Sequence, residues 1–305
     1  MSTQASDAAI ATEHLTKRYG ERLAVDALTL TVQRGEVFGF LGPNGAGKTT
    51  TLAMLLGLVR PSAGRAVVLG VDVAANPVTA LARVGAMIEA PAFYPYLSGY
   101  DNLRVLCRAG GIAEPRIAEV LEVVEMTSRA RERVRVYSQG MKQRLALAAT
   151  LLPDPELILL DEPTNGLDPA GTAEIRQLIR SLAARGRTIF LCSHQLHEVE
   201  QVCERVAILK AGRLLAEGQV AALLQRDQRL RVRIEGDASE AIALLKALPW
   251  VTGVETAADH LIVVTPTSRA AELNAYLAAS GVPVAELAPD AGSLEDFFLE
   301  VTGAP

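Results

Sequence analysis

The sequence predicts an α/β protein with a parallel-sheet core, followed by a smaller α+β unit. Three observations carry this. Residues 36–41 (EVFGFL) form a short apolar run that passes through GPNGAGKTT into a helical stretch at 49–58. A strand, a glycine-rich turn and a helix in that order make the βα unit of a parallel sheet. Residues 157–160 are wholly apolar and end in Asp161-Glu162, as a strand buried on both faces does. Beyond residue 228 the pattern changes to short alternating strands and two helices in the order β-α-β-β-α-β, the split βαβ plan.

Taken in order, residues 8–35 read as short strands with turns at Tyr19-Gly20 and Arg34-Gly35. After the first βα unit, residues 97–152 are mostly helical in pattern, with breaks at Gly110-Gly111 and around 137–140. The strand at 157–160 is followed by a helix (170–185), a strand (188–192) and a helix (196–203). Residues 206–210 and 213–216 read as a hairpin around Ala211-Gly212, and 220–225 as a short helix. The second unit then reads as a strand (230–234), a helix (240–248), two strands (251–255 and 261–265), a helix (269–279) and a strand (282–287). That plan is ferredoxin-like. Ser293 and Asp296 open residues 293–300 like a capping box, which predicts a last helix. The boundary is expected at 220–230, giving units of 1–225 and 226–305.

Composition narrows the function. A chain of 305 residues suits two domains, and with 50% hydrophobic and 21% charged residues it is expected to be packed, not disordered. No apolar stretch nears the roughly 18–20 residues of a membrane span. The run at 145–152 is interrupted by Thr150 and stopped by Pro153. A net charge of −5 disfavours general binding to nucleic acid. Residues 1–12 lack the basic and apolar regions of a secretory signal, and three cysteines without CxxC spacing argue against a disulfide framework or a zinc site. A cytoplasmic location is expected. The 30 basic residues are 25 Arg and only 5 Lys, so each Lys is less likely to be there by default.

Gly42 to Thr49 fits GxxxxGK[ST]. Gly42, Gly45 and Gly47 free the backbone to bring N–H groups close to phosphate oxygens, and the next helix adds its positive dipole end. Lys48 is expected to reach the β- and γ-phosphates, and the Thr49 hydroxyl to ligate Mg²⁺. Asp161 is the expected Mg²⁺ partner, and Glu162 the group that orients and deprotonates water.

Over about residues 8–220 these motifs resemble the ATP-binding-cassette (ABC) family. Tyr19 in KRYG, GPNGAGKTT (Walker A), Glu89, YSQGM at 137–141, ILLDEP at 158–163 (Walker B), Gly166-Leu-Asp168 and Ser193-His194 follow in the family's order. The resemblance implies a P-loop NTPase: a RecA-like parallel core, an antiparallel β-subdomain and a helical subdomain at about 90–155. It implies that Tyr19 stacks on adenine and that Gly42, Asn44, Gly45, Ala46, Gly47, Lys48, Thr49 and Thr50 bind ATP. Glu89 stands where the family has its Q-loop glutamine and would join Thr49 and Asp161 at Mg²⁺. Ser138, Gln139 and Gly140 stand in the signature that faces nucleotide on a second subunit. Asp168 lies in the D-loop, and His194 is the switch histidine at the γ-phosphate. Two departures stand out: YSQGM keeps only Ser138 and Gly140 of LSGGQ, and Glu89 carries a charge that glutamine lacks.

Residues 88–103, YSQGMKQRL and the ending SLEDFFLEVTG are similar to bacitracin- and lantibiotic-type exporter ATPases. The implied function is the ATP-hydrolysing subunit of a bacterial exporter of drugs, peptide antibiotics or lipids. It would dimerise around two MgATP and sit on the inner face of the membrane through a separate permease. Alternatives are a soluble ABC ATPase acting on nucleic acid or ribosomes, and an importer ATPase. Phe93, Tyr94, Tyr96 and Tyr100 hold four of the 13 aromatics within eight residues, which suggests a docking surface. Arg129, Arg131, Arg133 and Arg135 read as a solvated face, with an anionic-lipid contact as the lesser alternative.

Overall fold

The computed structural model describes residues 8–88, 92–224, 229–235, 238–257, 259–290 and 292–302. The chain divides into two compact units, Met1–Val220 with Val301–Pro305, and Ala221–Glu300.

The first unit opens with two antiparallel strands, β1 (Ala8–Tyr19) and β2 (Arg22–Gln33). They are 12 residues each, where the sequence suggested shorter pieces. His14 and Ala27 take left-handed φ values of 47° and 46° at slips in the register. These bulges have a packing reason. Ile10 and Leu15 are both fully buried although five apart, as are Val25 and, nearly so, Leu28 three apart. Strict alternation would send one of each pair to the opposite face.

Next come β3 (Val37–Leu41), α1 (Lys48–Leu55), β4 (Ala63–Val68), β5 (Val71–Asp72), α2 (Pro77–Leu81) and β6 (Val84–Met87). The strands β2-β1-β4-β5 form one antiparallel sheet in that order. Three helices follow, α3 (Gly99–Gly110), α4 (Pro115–Val123) and α5 (Gln139–Leu151), which bury Leu103, Ile117, Leu121 and Leu147 among their residues. Ser98 starts α3 by accepting the Asp101 N–H at 3.0 Å.

The unit continues with β7 (Leu157–Asp161), α6 (Pro169–Ala184), β8 (Thr188–Ser193), α7 (Leu196–Val202), β9 (Arg205–Lys210) and β10 (Arg213–Gln219). A short α8 (Val220–Leu224) then leads out. The core sheet runs β10-β9-β3-β8-β7-β6, parallel except for the β10 edge. Every residue of β3, β7 and β8 is buried. The Phe190 ring lies 5.8 Å from Phe38 and 5.1 Å from Phe40. Burying such a ring stabilises by roughly 1.5–3 kcal/mol. Leu41 pairs with Ser193, and Asp161 with Cys192. The loops after β3, β7 and β8 therefore leave the same edge of the sheet, the edge at which open α/β sheets bind ligands.

The second unit contains β11 (Arg229–Ile234), α9 (Ala238–Lys246), β12 (Gly253–Thr256), β13 (Leu261–Val264), α10 (Ala270–Ala279) and β14 (Val284–Pro289). Its sheet is antiparallel in the order β12-β13-β11-β14, the ferredoxin-like arrangement. Leu230, Val232, Leu261 and Val263 face Leu245, Leu273 and Leu277 in its core. The helix α11 (Leu294–Thr302) follows, and the Ser293 hydroxyl donates to Asp296 Oδ2 at 2.8 Å while accepting the Asp296 N–H at 3.1 Å. That is the capping pair read from the sequence.

Candidate functional site

The loop between β3 and α1 is shaped by its glycines. Gly47 ends it at φ 108°, and a Cβ there would lie 2.5 Å from the Ala24 carbonyl oxygen. At Gly42 an added Cβ would lie 2.4 Å from the Leu209 oxygen. No side chain fits at either position, so the chain closes around bare backbone. The loop is also pinned from outside: Ala46 donates to Pro43 O, and the Gly212 N–H, in the turn between β9 and β10, donates to Ala46 O at 2.9 Å. Asn44, Gly45, Gly47, Thr49 and Thr50 line the resulting cavity with Lys48, Asp161 and Glu162.

Lys48 is only 7% exposed. A buried ammonium needs partners, and it has them: it donates to Gly42 O at 2.7 Å and lies 3.7 Å from Glu162 Oε1. The Thr49 hydroxyl donates to Asp161 Oδ2 at 3.0 Å. A hydroxyl and a carboxylate side by side offer the hard oxygen donors that Mg²⁺ takes alongside phosphate and water. Among the described residues no group of three His, Cys, Asp or Glu side chains forms a cage, and Mg²⁺ bound with phosphates needs none.

Glu162 follows β7 with φ 49°, left-handed for a residue with a long side chain. Such strain persists where surrounding bonds fix it. Here the Glu162 N–H donates to Cys192 O at 2.9 Å. Its Oε2 lies 2.8 Å from His194 Nδ1 and accepts from Ser193 Oγ at 3.4 Å. One carboxylate thus stands between an ammonium and an imidazole, within reach of the loop, and can accept a proton from water. Beneath it, burial first and then the Asp161 charge push the Cys192 thiol well up, so it stays neutral under the site.

Tyr19 ends β1 half exposed, with Lys17 Nζ 4.9 Å from its ring centre. Ser138 caps α5 by accepting the Met141 N–H at 3.2 Å, and Asp168 caps α6 by accepting the Gly171 N–H at 2.8 Å. Ser138, Gln139, Gly140 and Asp168 line a second cleft that shares no residue with the phosphate-loop cavity. Of the residues singled out in the sequence, the fold gathers Gly42 to Thr50 with Asp161, Glu162 and His194. It gathers Ser138 to Gly140 with Asp168 elsewhere. Glu89 lies outside the described residues.

Two residues at the site escaped the sequence reading. Arg22 lines the phosphate-loop cavity from β2. Buried Gln143 donates its amide to Pro163 O at 2.6 Å, tying α5 to the segment after Glu162. No motif marks Arg22; Gln143 lies within the YSQGMKQRL stretch noted in the sequence, but nothing in that stretch assigned it a role.

A family model described as "ABC transporter" matches residues 25–165. The bacitracin transport ATP-binding protein BcrA of Bacillus licheniformis is 40% identical over 297 residues, 96% of this chain and 97% of that protein. The daunorubicin resistance ATP-binding protein DrrA3 of Streptomyces coeruleorubidus is 38% identical, covering 98% and 97%. The dimeric, post-hydrolysis structure of the ATP-binding cassette MJ0796 with ADP and Pi matches at a TM-score of 0.62 and 25% identity, over 69% of this chain and 98% of that one. With near full-length relatives and a loop, strand ends and cavity of this form, the chain belongs to the ABC transporter family and is one of its ATP-binding, ATP-hydrolysing subunits.

Proposed function

We propose that this chain is the motor subunit of a bacterial exporter of drugs, peptide antibiotics or lipids. Residues 1–225 form its ATPase domain and 226–305 an accessory domain. The observation that carries the reading is the Lys48–Glu162–His194 cluster beside the Thr49–Asp161 pair. Lys48 and the amides of residues 42–49 hold the phosphates of ATP, and Tyr19 stacks on the base. Thr49 and Asp161 would hold Mg²⁺, with Glu89 as a third candidate. When bound, the ion neutralises charge developing on the phosphates. Glu162 takes the proton of the attacking water, and His194 orients that carboxylate and meets the γ-phosphate.

The separate cleft of Ser138, Gln139, Gly140 and Asp168 supports action in trans. A helix N-terminus attracts phosphate, yet this one lines no part of its own chain's loop cavity. Two chains arranged head to tail would each supply it to the other's ATP. The export direction rests on the bacitracin and daunorubicin relatives. No helix among the described residues is long and apolar enough to cross a membrane, so we assign the membrane passage to a partner permease and this chain to its cytoplasmic side. Exposed Tyr94 and Tyr96, with ring centres 6.0 Å apart, support a docking surface with Phe93 beside them. Arg131 instead covers the Tyr100 ring at 4.0 Å.

Glu162→Gln tests the catalytic reading. It keeps the shape but not the proton acceptor, so turnover should fall about 10²–10⁴-fold while ATP drives a dimer visible on a sizing column. Retained ATPase activity would remove Glu162 from its role, and a column profile indifferent to ATP would remove the dimer. Replacing Phe93 and Tyr96 by Ser should lower co-purification with the permease and leave basal ATPase activity in place; unchanged recovery speaks against docking there.

A further inference from the structure

We infer that Arg22 is a further nucleotide-binding residue that grips the phosphates common to ATP and ADP, at the hairpin side of the proposed ATP site. The inference rests on that ATP reading and deepens it.

Arg22 is the first residue of β2 and the register partner of Tyr19 across the hairpin. Its guanidinium reaches toward the phosphate loop: Nη2 lies 3.8 Å from where a Cβ on Gly45 would sit. It lines the same cavity as Asn44, Gly45 and Lys48. Thr49, Asp161 and Glu162 form the end suited to metal, γ-phosphate and water. Arg22 and Ala24 of β2 bring the hairpin to the same cavity. Arg22 comes from the hairpin side and meets the loop at Gly45, whose amides cradle the α- and β-phosphates, so the phosphates in its reach are the two that ATP and ADP share.

Its chemistry points the same way. Among the described residues Arg22 has neither a hydrogen-bond partner nor an ion-pair partner, whereas Arg18 on the same hairpin donates to Glu21 O, and Arg65 and Arg205 are held by glutamates. An unpaired guanidinium over a loop of bare amides is a fork that matches phosphate oxygens. It has no carboxylate to give up first. Lys48, by contrast, must leave Gly42 O and Glu162 to the extent that it meets phosphate. Because Arg22 is exposed, water and salt screen its contribution.

The position makes a distinctive prediction. The α- and β-phosphates are common to ATP and ADP, so loss of Arg22 should weaken both by the same factor, about tenfold for one charge-assisted contact. The experiment is isothermal titration of the full-length chain, its Arg22→Ala and Arg22→Lys variants and Lys48→Ala, with unmodified ATP and ADP at low and high salt. Arg22→Ala should weaken ATP and ADP alike, Arg22→Lys should recover part of the loss, and the difference should shrink with salt. Circular dichroism and the urea midpoint of Arg22→Ala should match the parent. Affinities within about twofold of the parent for both nucleotides, or a loss confined to ATP, overturn the assignment. If the parent chain binds neither nucleotide, the ATP reading itself falls and takes this inference with it. If the parent binds and Lys48→Ala weakens binding while Arg22→Ala does not, only the inference falls.

Discussion

The chain contains two β-sheets that solve burial in opposite ways. In the first unit β3, β7 and β8 have no exposed residue. In the second, β11 buries Leu230 and Val232 and turns Arg229, Arg231 and Arg233 to its other face. There Arg229 pairs with Glu255, and Arg231 and Arg233 with Glu286. A strand buried on both faces has no side chain to spare for chemistry along its length. Its chemistry moves to its end, and parallel pairing brings three such ends together at Gly42, Asp161 and Ser193. The half-covered sheet keeps its charges along the strand, paired with one another, and among the described residues brings no comparable cluster to one edge. The lesson is that the site is held by apolar strands that never touch its ligand.

Substitutions can break that contrast at graded cost. Phe190→Ala removes a ring that meets both Phe38 and Phe40 from a strand buried on both faces. It should cost about 3–5 kcal/mol in urea denaturation followed by circular dichroism, and ATP hydrolysis should fall with it because Ser193 ends that strand and His194 follows it. A loss under about 1 kcal/mol would contradict the packing. Leu230→Ala opens only one face of the second sheet. It should cost about 2–4 kcal/mol in the unfolding transition reported by Trp250, the only tryptophan, which packs on that core. ATP binding should remain. Smallest is Arg231→Ala on the open face of the same strand, where exposed ion pairs contribute about 0–1 kcal/mol. A larger shift of the Trp250 transition would mean that this face is covered in solution.

The sequence was legible where the physics is local. The strands at 36–41, 157–160 and 188–192 were readable because burial on both faces demands continuous apolar residues. The second unit was readable strand by strand because one-sided burial demands alternation. Residues 63–87 gave no element, although they form β4, β5, α2 and β6. These pieces are short, broken by glycine and proline, and set by the strands they pair with. The bulges at His14 and Ala27 were equally silent, since Ala carries no signal for a left-handed backbone and a lone His only a weak one. Arg22 looked like any of the 25 arginines in the chain, and only the hairpin register aims it at Gly45.

By itself, then, the sequence determined the phosphate loop and the core strands, because glycine's freedom and apolar runs act on neighbours along the chain. The tertiary structure decided which strand ends meet. Insertion of β8 between β3 and β7 puts His194 2.8 Å from Glu162 and Lys48 3.7 Å from it. The same packing puts Ser138 and Asp168 in a cleft of their own. The meeting of Lys48 and Thr49 with Glu162 and Asp161 depends on strands more than a hundred positions apart in the chain, and the other two span about thirty positions; in each case the choice of partner belongs to the whole core and no local stretch encodes it.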